Sequence, residues 1–504
     1  MDTGAISTVV IAGGGTAGWM AAAALARAFH GRIHIRLVES EEIGIVGVGE
    51  ATIPTINTLN QFLGVDENEM MKATQGTFKL GIEFVDWYRK GERYAHQFGA
   101  FGRPLGVLPL YQYWLRRHLA GKGGSLWDYS FNDRAARVNR FARVDRVLDS
   151  PLEGLAYAFQ FDAMLYARYL RGLCERQGVR RTEGRIVSVQ QSDDGFLTSV
   201  TLQSGEVVAG DLFIDCSGFR GLLIEETLKT GYDDWSDLLP ADRAWAVPCR
   251  SNGPLTPYTR ATARTNGWQW RIPLQHRTGN GYVFSSRFVD EESVRGELMA
   301  RLDGEPLADP RVISFVTGRR KTSWIKNCLA LGLAAGFMEP LESTSIHLAQ
   351  SGLTRFLVLF PDKGFNPLEI AEYNRQTQHE YELIRDFIIL HYKATQRDDS
   401  TFWNHVRTMD IPDSLAHKIA LFEEHGRVLI EPDDLFKEMS WVQVLLGQGI
   451  MPRAASPLTR VLSDAQIDEV MANLKTIISR AAGSLPDHAA FLNRFAKAAP
   501  WGAA

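Results

Sequence analysis

The chain has 504 residues, 45% of them hydrophobic, and a formal net charge of -4 from 55 basic and 59 acidic side chains. That length exceeds what one core usually fills, so two closely joined domains are expected. The near balance of charge offers no positive field to a nucleic-acid backbone. The four cysteines, Cys174, Cys216, Cys249 and Cys328, are widely spaced and form no C-x-x-C pair. They therefore indicate neither a disulfide scaffold nor a metal site, and they suit a reducing cytoplasm. The N-terminus lacks the parts of a secretory signal, and the apolar run near residues 20–29 is cut by Arg27, so no membrane span is expected.

Thr8 to Ala12 read as a short buried strand, followed by Gly13, Gly14, Gly15, Thr16, Ala17 and Gly18 and an alanine-rich run through Arg27. This is strand, tight turn, helix. Gly13 permits the turn, Gly15 lets a pyrophosphate approach the backbone, and Gly18 lets the helix pack closely. A second strand, Ile33 to Val38, leads to Glu39, where a carboxylate can accept hydrogen bonds from ribose hydroxyls. The pattern predicts a dinucleotide such as FAD or NAD and disfavours a 2'-phosphate.

Residues 55–170 are rich in aromatics, including Phe84, Trp87, Tyr94, Phe98 and Trp114. Farther along, Arg185–Gln190, Gly195–Leu202 and Glu206–Ile214 alternate as a small antiparallel meander, and the last strand runs into Asp215, Cys216, Ser217 and Gly218. An acidic residue and a small turn at that point can return the chain to the dinucleotide. Residues 240–320 look strand-rich, with Gly279-Asn280-Gly281 expected as a turn between Gln269–Leu274 and Tyr282–Arg287.

Gly332 to Ser345 reads GLAAGFMEPLESTS. The small residues up to Gly336 let a flat cofactor lie close to the backbone, and a helix beginning near Ser343 would aim its first amides at negative charge. Three dinucleotide contacts in this order favour FAD. From Pro367 the pattern is helical, with apolar faces in Leu383–Tyr392, Leu415–Phe422 and Ile467–Ile478 and breaks at Pro412, Pro432, Pro452 and Pro457. Phe402, Trp403, Phe436 and Trp441 are candidates to line a pocket there.

Several motifs in order resemble the flavin-dependent tryptophan halogenase family. They are GGGTAG at Gly13–Gly18, GVGEATIP at Gly47–Pro54, TFKLGIEFVDW at Thr77–Trp87, GWQWRIP at Gly267–Pro273 and EPLESTS at Glu339–Ser345. The resemblance implies an α/β, FAD-binding, flavin-monooxygenase-like fold with a discontinuous dinucleotide module (1–85, 155–235 and 320–365). It also implies substrate-binding elements (86–154 and 236–319) and a largely helical C-terminal cap (366–504).

It further implies an enzyme in which reduced FAD from a separate flavin reductase, oxygen and halide give hypohalous acid, which travels through a tunnel to a lysine beside a small aromatic substrate. By that likeness Lys79 is the catalytic lysine and Glu342 its carboxylate partner. Gly49 and Ala51 join Gly13, Gly15, Thr16, Ala17, Gly18, Glu39, Asp215 and Gly336 at the cofactor. The amides of Thr344 and Ser345 bind halide, although most tryptophan halogenases have glycine in place of Ser345. His96 and Phe98 match an H-x-F element that stacks on indole, and Trp268, Trp270, Ile272 and Pro273 match the W-x-W-x-I-P signature. No set of groups matches the ammonium and carboxylate of free tryptophan, so indole, substituted indoles, phenols and larger indole-containing metabolites stay open as substrates. A homodimer stays open as well. A flavin monooxygenase and a non-catalytic flavin-binding redox protein are the competing readings.

Overall fold

The computed structural model describes residues 4–42, 49–148 and 150–500. The chain divides into two units, one of residues 1–76, 161–242 and 313–382, the other of residues 77–160, 243–312 and 383–504. Both are mixed α/β.

In the first unit the strand Thr8–Ala12 is buried along nearly its whole length. A strand apolar on both faces belongs inside a covered parallel sheet, and this one sits within six strands in the order Trp324–Ile325, Cys328–Ala330, Leu212–Asp215, Thr8–Ala12, His34–Glu39, Arg180–Glu183. All neighbours run parallel except the short Trp324–Ile325 edge. The helix Thr16–Phe29 follows at once, and its residues from Gly18 to Ala26 are all buried. Alanines at that density let it lie close to its neighbours, including the helix Ala163–Arg176.

The meander exists as Ile186–Gln191, Leu197–Leu202 and Val207–Ala209, but its third strand is shorter than the sequence pattern implies. The chain breaks at Gly210-Asp211, and Leu212–Asp215 crosses into the parallel sheet instead. Asp211 pins this break: its Oδ2 accepts from the Ser7 amide (2.9 Å), the Ser7 hydroxyl (2.7 Å) and the Thr8 amide (3.1 Å), and Lys363 pairs with the other oxygen. A side chain at Gly210 would strike Val10, its Cβ lying 2.7 Å from Cγ2.

In the second unit, six strands of the large sheet run in the order Arg243–Cys249, Thr278–Phe284, Gly267–Pro273, Thr259–Arg264, Gly81–Val85, Arg93–Gln97. Only the pair Thr259–Arg264 with Gly81–Val85 is parallel. Gly279-Asn280-Gly281 is not the expected turn. It lies inside the strand Thr278–Phe284, and the chain reverses at Leu274–Arg277, where the Leu274 amide donates to the Arg277 carbonyl. Gly281 is in a strand because the Trp270 indole lies over it, within 2.0 Å of where a Cβ would stand.

Trp87 is the hub of this unit. It is fully buried, donates to the Ala261 carbonyl, and meets Trp268, Tyr392 and Trp403 ring to ring. Phe402, Trp403, Phe436 and Trp441, expected as pocket walls, are core residues. The two indoles use their N–H groups internally, Trp403 to the Arg264 carbonyl and Trp441 to the Phe436 carbonyl. The C-terminal helices Asp413–His425, Asp464–Ser484 and His488–Phe495 follow the apolar periodicity. No helix among the described residues is long and apolar enough to cross a membrane.

Candidate active site

The glycine turn of the first unit has one open side and several closed ones. Gly13 has φ +113°, and a Cβ there would lie 2.2 Å from the Cys216 carbonyl oxygen; at Gly18 it would lie 1.9 Å from the Gly13 carbonyl oxygen. Gly15 is different: a Cβ there meets nothing within 4 Å. The backbone is thus locked by contacts behind the turn, and its front is free for a ligand to approach at the N-terminus of the helix from Thr16. Gly332, with φ +62°, brings the second glycine loop against the first, since its Cβ would lie 2.7 Å from that of Ala17. These closures fit a dinucleotide pyrophosphate. Gly14 and Gly332 belong with the residues singled out from sequence. Their role is set by distant partners: the site of a Gly14 Cβ is filled by the Glu39 carboxylate.

Glu39 and Asp215 are more constrained than their sequence positions imply. Glu39, at the end of its strand, is held by Arg181 from the neighbouring strand, with Arg171 at 3.9 Å. Asp215 is fully buried, and its oxygens take the backbone amides of Ser217 (2.9 Å), Leu223 (2.7 Å) and Ile224 (2.8 Å). It therefore ties down the Cys216–Gly218 turn and the π-helical turn Leu222–Thr227. At Gly336 a Cβ would lie 2.7 Å from the Gly318 carbonyl oxygen and 2.9 Å from the Tyr381 ring, so only glycine fits there. Gly49 and Ala51 form a short strand, both buried. Gly47 and Val48 of that motif lie outside the described residues.

The EPLESTS segment also belongs to the first unit. Pro340–Glu342 make a single 3-10 turn, Ser343 takes a left-handed conformation at φ +59°, and the helix starts at Ser345, two residues later than expected. Glu339, Glu342 and Thr344 are buried, and Ser345 is half-buried. Serine in place of glycine at 345 carries no backbone strain, because the residue in the left-handed region is Ser343. The helix Ser345–Val358 is anchored by His347, whose Nδ1 is 3.0 Å from the Thr55 hydroxyl and whose Nε2 is 3.1 Å from Glu380. Gln350 adds a bond to the Thr55 carbonyl at 2.7 Å. Thr55 directly follows the GVGEATIP motif, so that motif and the EPLESTS helix are fastened to each other.

Lys79, in the second unit, ends the strand Thr77–Lys79, which pairs with residues 158–160. It is fully buried, and its ammonium lies 5.4 Å from the centre of the Phe98 ring. The Phe98 amide donates to the Leu80 carbonyl at 2.9 Å, so the two residues are held together by backbone as well. His96 is buried edge-on to Phe387 and near Phe436. Between them, Gln97 is gripped by the Gln443 side chain, which accepts from its amide (2.8 Å) and donates to its carbonyl (3.1 Å). Trp268, Trp270 and Ile272 share one buried face of their strand, and the Pro273 carbonyl accepts from the Thr77 hydroxyl at 2.6 Å. The signature is thereby tied to the strand that carries Lys79.

A glycine turn closed behind and open at Gly15 fits a dinucleotide cofactor, and the chain's relatives define the class as flavin-dependent halogenases. The family model for tryptophan halogenase matches residues 8–464. The chain is 34% identical to tryptophan 7-halogenase RebH of Lentzea aerocolonigenes, covering 98% of this chain and 99% of that protein. Among solved structures, Xcc4156, a flavin-dependent halogenase from Xanthomonas campestris, superposes with a TM-score of 0.95 at 47% identity, covering 98% of this chain and 99% of that one. BrvH, a flavin-dependent halogenase from Brevundimonas sp. BAL3, gives a TM-score of 0.93 at 42% identity, covering 97% and 99%. The chain belongs to the tryptophan halogenase family. It is an FADH2-dependent halogenase, with FAD as cofactor and halide and oxygen as co-substrates.

Proposed function

We propose that this enzyme halogenates an indole-like or other electron-rich small aromatic molecule, with Lys79 presenting the halogen to one ring carbon. The observation that carries this reading is the burial of Lys79 beside the Phe98 ring. An ammonium is costly to remove from water, and a lysine is almost never fully buried unless it is paired. Reduced FAD, delivered by a separate flavin reductase, supplies hypohalous acid when oxygen and halide are present. Lys79 can donate a hydrogen bond to that acid and polarise it, or carry the halogen as a haloamine; an ionised carboxylate has no proton to donate.

The overall step converts Ar–H and HOX into Ar–X and water. Glu342 is assigned the carboxylate that orients the oxidant and takes up the arene proton. Thr344 and Ser345 are assigned the halide amides. Gly13, Gly15, Thr16, Ala17, Gly18, Glu39, Gly49, Ala51, Asp215 and Gly336 are assigned the cofactor. Phe98 and His96 offer flat walls that hold the ring in register, and Trp268, Trp270, Ile272 and Pro273 are assigned the family signature that excludes ordinary monooxygenase use of the flavin. Residues 1–85, 155–235 and 320–365 are read as the flavin module, 86–154 and 236–319 as the substrate elements, and 366–504 as the helical cap. Four unpaired thiols support a reducing, cytoplasmic setting.

The test is the purified protein with FAD, a flavin reductase, NADH, oxygen and either bromide or chloride, against a panel of indole, substituted indoles and phenols. A product with the isotope pattern of one added halogen is expected on at least one indole. Incorporation of labelled oxygen without halogen would instead assign a monooxygenase.

A further inference from the structure

Lys79 sits on a strand of only three residues, so something outside that strand must hold it to the tolerance that group transfer demands. The amide of Phe78, the residue before it, does not go to a neighbouring strand but to Nε2 of His488 at 3.2 Å. His488 is the first residue of the helix His488–Phe495 and is fully buried. Its Nδ1 lies 2.7 Å from the Leu255 carbonyl oxygen, which can only accept. The proton must therefore be on Nδ1, which leaves the Nε2 lone pair for Phe78. Burial keeps the ring neutral, its pKa pushed down to about 4.

The ring stays in place because the His488 amide donates to the Asn139 carbonyl at 3.0 Å, and Asp487 caps the helix through the amides of Ala489 and Ala490. The Phe78 ring is stacked on Phe141 at 4.0 Å, edge-on to Phe491 and near His488 itself. From the other side Gln160 donates to the Thr77 hydroxyl (3.0 Å) and the Phe78 carbonyl (3.3 Å), while Thr259 donates to Gln160. The amide and the carbonyl of Phe78 are thus each held by a buried side chain from a distant segment.

We infer that His488 is a positioning residue for Lys79, setting where its ammonium stands and hence how much oxidant reaches the arene. This rests on the assignment of Lys79 given above. His488 itself touches no reacting group. Its removal leaves oxidant formation intact and lowers the fraction transferred.

The experiment uses the full chain with FAD, a flavin reductase, NADH, oxygen, bromide and indole as probe. It measures brominated indole per hypobromous acid, the escaped acid being trapped with a 1,3-diketone. For His488→Phe, which keeps a ring and deletes the acceptor, this ratio is expected to fall about tenfold or more, since small displacements of a reacting group cost that much. Total oxidant should stay within about twofold of wild type. His488→Gln, whose amide can still accept from Phe78, should recover at least half of the ratio.

An unchanged ratio in His488→Phe, or product and oxidant falling in step, would overturn the inference. If His488→Phe does not fold, His488→Gln decides: a near wild-type ratio supports it and a tenfold loss in a folded protein refutes it. Lys79→Ala, run alongside, separates the two claims. Normal bromination in Lys79→Ala removes the assignment of Lys79, whereas its loss with His488→Phe unaffected removes only the role of His488.

Discussion

The glycine turn at Gly13–Gly18 and the strand at Thr77–Lys79 are each built for exact placement, but by opposite means. The turn is held by backbone packed on backbone, with Gly13 against Cys216 and Gly18 against Gly13, and leaves one open face at Gly15. The lysine strand, besides its pairing with residues 158–160, is held by two side chains, His488 on the Phe78 amide and Gln160, itself fixed by Thr259, on the Phe78 carbonyl. A backbone lock tolerates no added atom. A side-chain lock tolerates conservative replacement but depends on protonation state and burial.

The sharpest way to break this comparison lies in the turn. Gly13→Ala should abolish FAD binding and lower Tm, because its Cβ would overlap a carbonyl at a left-handed φ. Gly15→Ala should leave Tm unchanged and weaken FAD by about tenfold, the loss then coming from the ligand alone. Equal thermal damage in both variants, read by scanning fluorimetry beside flavin titration, would remove the distinction between a closed back and an open front.

Next in size is Glu342→Gln. If Glu342 takes the arene proton, turnover should fall about a hundredfold with FAD affinity unchanged; steady-state kinetics with flavin titration checks both.

The side-chain lock makes a pH prediction. His488 titrates near 4 in the folded protein against 6.5 in an exposed histidine. The unfolded chain therefore binds the proton first, so this contribution is complete above about pH 6.5 and is lost as pH falls towards 4. Its size is on the order of 3 kcal/mol. Urea unfolding at pH 7 and pH 4.5 should show a smaller pH-dependent loss in His488→Gln than in wild type; identical slopes would contradict a neutral buried imidazole.

The smallest effect concerns halide. Bromide is easier to oxidise than chloride, and the Ser345 side chain stands where the family pattern has glycine, so bromide should give severalfold more product under matched conditions. Equal or greater yield with chloride would remove that preference.

These two regions also differ in how far they could be read in advance. The turn, its strand and its helix were legible because they occupy one continuous stretch whose glycine spacing and unbroken apolar runs are local. Lys79, Phe98 and the tryptophan signature were visible only through likeness to a family. The sequence pattern erred where a long-range contact decides the local structure. Asp211, by holding Ser7 and Thr8, ends the third meander strand early. Gly281 sits mid-strand because Trp270 covers it. His488 left no signal at all: it lies 410 residues from Phe78, and a lone histidine before a short helix has no periodicity to betray it.

The central claim is that Lys79 transfers the halogen and does not make the oxidant. The direct measurement is Lys79→Ala with indole, bromide and the complete reducing system, scoring brominated indole, trapped hypobromous acid and FAD affinity in the same preparation. The account predicts FAD affinity and trapped oxidant close to wild type with brominated indole lost. Brominated indole formed at the wild-type rate would contradict it.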